Sequence, residues 1–178
     1  MITVLSPAKT LDYSVNYTDK NTVPSFLPKS SQLVKTLKAK EPSEIASLMG
    51  LSDKLASLNF DRYQSWNASK KLSNTAKPAL LVFKGDVYQG LQAEDFNKQD
   101  MTFAQKHLRI LSGLYGALKP LDVMKPYRLE MGTKLQINGS KNLYEFWGDT
   151  VRDSVLSDSN TLINPVSYTH LRAHETVL

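Results

Sequence analysis

The sequence predicts an α+β fold: a mixed β-sheet flanked by helices, in a single domain. Three observations carry this expectation. Short apolar runs that read as buried strands, at residues 1–5, 79–83 and 161–163, are intermixed with longer segments at helical spacing. Their order lacks the even strand–helix–strand rhythm of a doubly wound sheet. No internal repeat or linker-like block divides the chain, and 178 residues with 41% apolar and 22% charged side chains can build one ordinary core.

Each element follows from its residues. The first apolar run, Met1-Ile2-Thr3-Val4-Leu5, ends at Ser6-Pro7 and reads as a buried strand. Pro24 and Pro28 punctuate a loop, and a helix is expected from Ser30 or Ser31, with Leu33, Val34 and Leu37 on its apolar face. A second helix starts at Glu41-Pro42-Ser43-Glu44, turns Ile45, Leu48 and Met49 inward and stops at Gly50. Ser52 is the expected N-cap of a third helix over 53–63, where Asp53 suits the positive end of the helix dipole. The run 79–83 after Pro78 fits a fully buried strand. Residues 101–111 repeat at helical spacing through Phe103, Leu108 and Leu111. Weak alternation over 129–137 suggests a strand pair or hairpin arm. Residues 142–156 read as one amphipathic helix, and 161–163 as a further strand.

Composition excludes several chemistries. With no cysteine, the chain has no disulfide, thiolate nucleophile or cysteine-based metal site, which suits a reducing cytoplasm. No apolar stretch approaches the ~20 residues that span a bilayer, and no secretory leader is visible. The formal charge of +5 permits attraction to nucleic acid or anionic ligands without establishing it. Dinucleotide, zinc-protease and nucleophile-elbow motifs are absent. Gly85 and Gly90 have P-loop spacing, but Leu91 stands where lysine is needed. His107, within a helical pattern, reads as structural or surface. No metal or cofactor is expected, and a single histidine outside the C-terminal segment makes iron ligation the weakest functional class.

Four segments place cationic or hydroxyl groups at turns. Lys9 follows the first strand, beside Ser6 and Thr10, and can meet an anion at the strand end or be a solvated turn lysine. Lys84 and Asp86 flank Gly85 at the exit of an apolar run, suited either to a ligand or to each other. Ser112, Gly113, Tyr115 and Gly116 form a glycine-flanked turn that can present backbone amides to phosphate, or simply end a helix. Lys125 and Arg128 beside Tyr127 suit phosphate contact and stacking, with a solvated turn as the equal competitor.

Taken together, Leu5-Ser-Pro-Ala-Lys-Thr-Leu-Asp12, Phe83-Lys-Gly-Asp-Val-Tyr88, Leu108-Arg-Ile-Leu-Ser-Gly-Leu-Tyr-Gly116, Lys125-Pro-Tyr-Arg-Leu-Glu-Met-Gly132 and Tyr144-Glu-Phe-Trp-Gly-Asp149 resemble the YaaA family of peroxide-stress proteins. Ser52-Asp-Lys-Leu-Ala56 and Leu91-Gln-Ala-Glu94 match as well. The resemblance covers residues 1 to about 164. It implies a cytosolic bacterial protein that limits damage under hydroperoxide stress by keeping free iron low. It also implies a mixed α/β fold with a cationic cleft, a helix-hairpin-helix-like element and binding of double-stranded DNA. The hairpin-like element then corresponds to residues 112–116, and Lys9, Lys84, Lys125 and Arg128 are the candidates for the cleft. An enzyme acting on an anionic or nucleotide-like small molecule is the alternative.

The resemblance also implies a longer chain, continuing after Asn164 through a segment rich in lysine and aromatics. From Pro165 onward the sequence has no helical or strand period and carries His170 and His174, two of its three histidines. This string resembles a translated sequencing-adapter read. Residues 1–164 are therefore read as the domain, incomplete at its C-terminal end, and 165–178 as a non-native tail. Exposed apolar surface is expected at Leu162 and Ile163.

Overall fold

The computed structural model describes residues 1–159 and 161–165. In chain order its strands are β1 (Ile2–Leu5), β2 (Thr10–Leu11), β3 (Lys77–Pro78), β4 (Phe83–Lys84), β5 (Leu108–Ser112), β6 (Gly116–Leu118), β7 (Val123–Met124) and β8 (Leu162–Ile163). The helices are α1 (Leu27–Lys38), α2 (Pro42–Met49), α3 (Asp53–Ser65), α4 (Ala79–Val82), α5 (Asp86–Leu91), α6 (Lys98–His107), α7 (Leu143–Trp147) and α8 (Thr150–Asp158), with a 3-10 turn at Ala93–Asp95. This is the α+β architecture expected.

A mixed four-stranded sheet, ordered β6-β5-β1-β8, forms the centre. β1 lies between two parallel neighbours, with Val4 opposite Arg109 of β5 and Ile2 opposite Leu162 of β8. β5 turns back antiparallel onto β6, pairing Ile110 with Leu118 and Ser112 with Gly116. β1 has Ile2, Val4 and Leu5 buried, as a strand flanked on both edges by pairing requires. At the sheet edge, Leu162 and Ile163 are 46% and 41% exposed, the apolar surface anticipated there. α6 packs on β1 and β5, and α8 on β6. The helical layer of α1, α2 and α3 is held by Leu33, Leu37, Ile45, Ala56 and Tyr63. Two antiparallel ribbons complete the fold: β2–β4, pairing Thr10 with Lys84, and β3–β7, pairing Lys77 with Met124.

Helix boundaries show the local chemistry. α1 begins at Leu27 rather than Ser30, because Pro28 belongs to its first turn, where the missing N–H costs nothing. α2 has the Glu41/Glu44 capping box and ends on Gly50 at φ 61°. Ser52 holds the N-cap position of α3 as expected, but its hydroxyl makes no cap bond; its carbonyl accepts the first intrahelical bond, from the Ala56 N–H at 2.9 Å.

Four expectations are corrected. The run 79–83 is buried, but it makes one helical turn before β4, since a short all-apolar run carries no period that separates strand from buried helix. The helix expected over 101–111 stops at His107, and Leu108, Ile110 and Leu111 belong to β5. Residues 129–137 keep the alternation, with Thr133, Leu135 and Ile137 buried between exposed neighbours, yet their pairing among the described residues is limited to one antiparallel bridge, Ile137 with Ser140, so they form no strand. The helix expected over 142–156 is broken in two at Gly148, whose φ of 49° and ψ of −133° suit glycine. Of the tail at 165–178, all but Pro165, and so His170 and His174, lies outside the described residues.

Two polar links cross the fold. Arg109, 4% exposed, directs its guanidinium to Asp158 at 2.5 and 3.0 Å and to the Gln105 carbonyl at 3.1 Å, tying β5 to α8 and α6. Buried Asp122 accepts from Thr22 Oγ1 at 2.6 Å and from the Lys119 N–H at 2.8 Å. His107 ends α6 with Nδ1 2.9 Å from the Met1 carbonyl and its ring against Phe103, a structural placement.

Candidate functional site

The cations anticipated from sequence are positioned by backbone geometry at the β2–β4 ribbon and the segment that follows β7. Lys9 immediately precedes β2, and the pairing of Thr10 with Lys84 sets Lys84 on the strand adjoining it. The loop before Lys9 is fixed by the Tyr88 hydroxyl, which donates to the Ser6 carbonyl at 2.7 Å. Gly85 permits this approach: a Cβ there would lie 3.3 Å from Ala8 Cβ.

Residues 125–133 meet the Lys9 loop through Glu130. Tyrosine hydroxyls pin them: Tyr115 Oη accepts the Lys125 N–H at 2.9 Å, Tyr63 donates to the Arg128 carbonyl, and Tyr127 Oη lies 2.6 Å from Ser112 Oγ. The Thr133 N–H then donates to the Glu130 carbonyl at 2.9 Å, closing a turn. Lys9 Nζ stands 3.3 Å from Glu130 Oε1, and Arg128 Nη2 stands 3.5 Å from the same oxygen. The structure therefore brings Lys9 and Arg128 together on one carboxylate. Lys84 instead reaches Glu94 at 3.6 Å, and Lys125 enters through its backbone.

The turn at 112–116 is placed differently from the expectation. It joins strands β5 and β6, not two helices, so the helix-hairpin-helix reading is corrected. Ser112, Gly113, Tyr115 and Gly116 are all buried. Ser112 Oγ accepts the Tyr115 N–H at 2.9 Å, and the Gly113 carbonyl accepts Trp147 Nε1 at 3.0 Å. Gly113 is glycine because a Cβ would fall 2.3 Å from the Leu129 carbonyl oxygen. Gly116 sits at φ +74° with Trp147 against it. The turn is part of the core, with the Tyr115 N–H and the Gly113 carbonyl bonded inside the protein.

The sequence points to Tyr115 and Tyr127 at the candidate site, and the structure joins to them Tyr13, Tyr63 and Tyr88, which the sequence does not single out. Burial pushes the phenols of Tyr13, Tyr63, Tyr88 and Tyr127 up, and Tyr115 up to about 12, so all are neutral hydrogen-bonding groups at physiological pH. Tyr115 contacts Tyr127 edge-on, with ring centroids 5.4 Å apart, and accepts Trp66 Nε1 at 2.9 Å. Arg62, in the last turn of α3, joins this region. It donates to Asn59 Oδ1 at 3.2 Å, and burial, with a contribution from the charge of Arg128, lowers its pKa. Its only sequence signal was a basic residue beside Tyr63, indistinguishable from an ordinary helix-end cation. Two hydrogen bonds from Ser14 hold Asp12 below the usual carboxylate range, so it is ionised near Lys84. Among the described residues no helix is long and apolar enough to cross a membrane.

Comparison with known proteins places this geometry. A family model described as "Peroxide stress protein YaaA" matches residues 1–176. A UPF0246 protein from Hahella chejuensis (strain KCTC 2396) is 51% identical over 179 residues, covering 97% of this chain and 70% of that protein. With the matched range spanning the Lys9 loop, the β2–β4 ribbon and the Arg128 turn, the chain belongs to the YaaA family of peroxide stress proteins.

Proposed function

We propose that this peroxide-stress protein limits iron-dependent damage by binding double-stranded DNA through the cationic corner formed by Lys9, Lys84, Lys125 and Arg128. The observation that carries this reading is the convergence of Lys9 and Arg128 on Glu130, with Lys84 on the strand adjoining Lys9. Lys9 and Glu130 are substantially exposed, at 63% and 45%, so their ion pair contributes little and exchanges readily for a phosphate. Contacts of this kind hold the nucleic acid backbone without strong sequence preference and weaken steeply with salt. Cationic side chains carry the contact, because the 112–116 turn is buried in the core. Duplex held there would be shielded from iron-generated radicals. The protein is expected to act in the cytoplasm.

The test is fluorescence anisotropy of a short labelled duplex at two salt concentrations, beside a K9E/K125E/R128E variant. Tight binding with a steep salt slope that the variant loses supports the reading; weak binding indifferent to the charge reversals removes it. A second reading, an enzyme acting on an anionic small molecule in the same cleft, is favoured by a cavity beside Arg128.

A further inference from the structure

The C-terminal end of α2 and the turn at 128–133 enclose a cavity of about 260 Å³, lined by Leu48, Met49, Arg128, Glu130, Gly132 and Thr133. We propose that it is a binding site for a small organic oxyanion, whose charged head meets the side edge of the Arg128 guanidinium and whose apolar body lies on Leu48 and Met49. The proposal rests on the small-molecule reading of the cleft and needs no nucleic acid.

Four observations point there. First, Arg128 Nε is buried and has no hydrogen-bond acceptor among the described residues, a rare state for a buried donor. Second, Nη2, which shares that side edge, reaches only Glu130 Oε1 among the described residues, at 3.5 Å, well beyond the ~2.7–2.9 Å of a strong charge-assisted bond. The edge is built for a bidentate acceptor and is loosely covered by a carboxylate that Lys9 also holds. Third, positive charge is in excess: Lys9 and Arg128 share the single carboxylate of Glu130, and the charge of Arg128 is also felt at Arg62. Fourth, the walls are prepared. Tyr63 fixes the Arg128 carbonyl while its hydroxyl also lies 3.9 Å from Met49 Sδ. Gly132 leaves the mouth open, since a Cβ there meets nothing within 4 Å. Glu130 thus acts as an internal competitor that an incoming oxyanion displaces, releasing the Nε–Nη2 edge. A DNA duplex is too wide to enter the cavity.

The test is isothermal titration of the whole chain with phenyl phosphate, benzoate and inorganic phosphate, without DNA. Phenyl phosphate or benzoate should bind one-to-one, at least about tenfold more tightly than inorganic phosphate, because only they carry an apolar body. Whichever aromatic anion binds identifies the head group. Glu130→Gln should tighten binding several-fold by removing the competitor. Arg128→Lys, which keeps the charge but loses the edge, should weaken it about tenfold or more. Because Arg128 variants can perturb folding, the Arg128 Nε–Hε resonance of the unmodified chain provides a second readout and should move on titration. No binding by both the unmodified chain and Glu130→Gln, or an Nε–Hε resonance unmoved at saturation, overturns the proposal. Oxyanion binding without duplex binding would remove only the DNA reading, and duplex binding without oxyanion binding only this one.

Discussion

Replacing Gly113 by alanine separates a core turn from a surface turn. Gly113 is not among the positive-φ glycines, so the backbone conformation itself accepts alanine and the penalty is steric. The new Cβ would lie 2.3 Å from the Leu129 carbonyl oxygen, 3.0 Å from its carbon and 3.1 Å from the Glu130 carbon, against 3.4–4 Å for ordinary contact. One strand end must therefore move by about 1 Å. The obstacle is backbone, not the tip of a flexible side chain, and the Tyr63 bond to the Arg128 carbonyl holds it in place. Overpacking of this kind costs about 1–3 kcal/mol. Loss of the buried Trp147 bond to the Gly113 carbonyl adds about 1–3 kcal/mol, and the stiffer unfolded chain returns about 0.4–1 kcal/mol. The net expectation is about 1–6 kcal/mol, which lowers Tm by roughly 2–20 °C for a domain of this size. Thermal melts followed by circular dichroism, with Gly132→Ala as a near-neutral control, measure it. A Gly113→Ala protein that melts with the parent but no longer binds duplex would refute the packing account and return the turn to the surface.

Three further outcomes follow from the same contacts. Asp158→Ala strips buried Arg109 of its carboxylate; because Asp158 is partly exposed and two carbonyls remain, a loss of about 1–3 kcal/mol is expected in urea unfolding. Tyr115→Phe leaves the Trp66 indole N–H and the Lys125 N–H without their acceptor and should cost about 2–4 kcal/mol, with little change if water replaces the phenol. Burial, only partly offset by hydrogen bonds from Thr22 and Lys119, raises the pKa of Asp122, so the folded chain holds its proton more tightly than the unfolded chain does. Its contribution is fullest below the unfolded carboxylate pKa and is lost as pH rises through the folded one. The stability of the parent relative to Asp122→Asn should accordingly fall between acid and neutral pH, and a rise over that window would contradict the assignment.

The helical layer was legible because its signals are local. Pro42 and Gly50 bracket α2, and Leu33, Val34 and Leu37 mark the buried face of α1 without reference to any other part of the chain. β1 was legible too, as a short apolar run cut by Ser6-Pro7. Residues 108–111 misled because leucines at helical spacing fit a continued α6 as well as a strand. The extension lost to β1, whose edge needed a parallel partner.

The candidate site divides along the same line. The sequence marks Lys9, Lys84, Lys125 and Arg128 as candidates through the proline and glycine residues near them, although Lys84 proves to lie within β4. Family membership is carried by the same motifs. Only the tertiary structure brought Lys9 to Glu130, 121 residues away in the chain, left Arg128 Nε buried without an acceptor, and enclosed Ser112, Gly113, Tyr115 and Gly116 in the core. Propensity and capping act within a few residues, so a linear reading captures them. Burial, charge pairing and an unmet hydrogen bond depend on which distant segments the hydrophobic core draws together, and no local pattern encodes that.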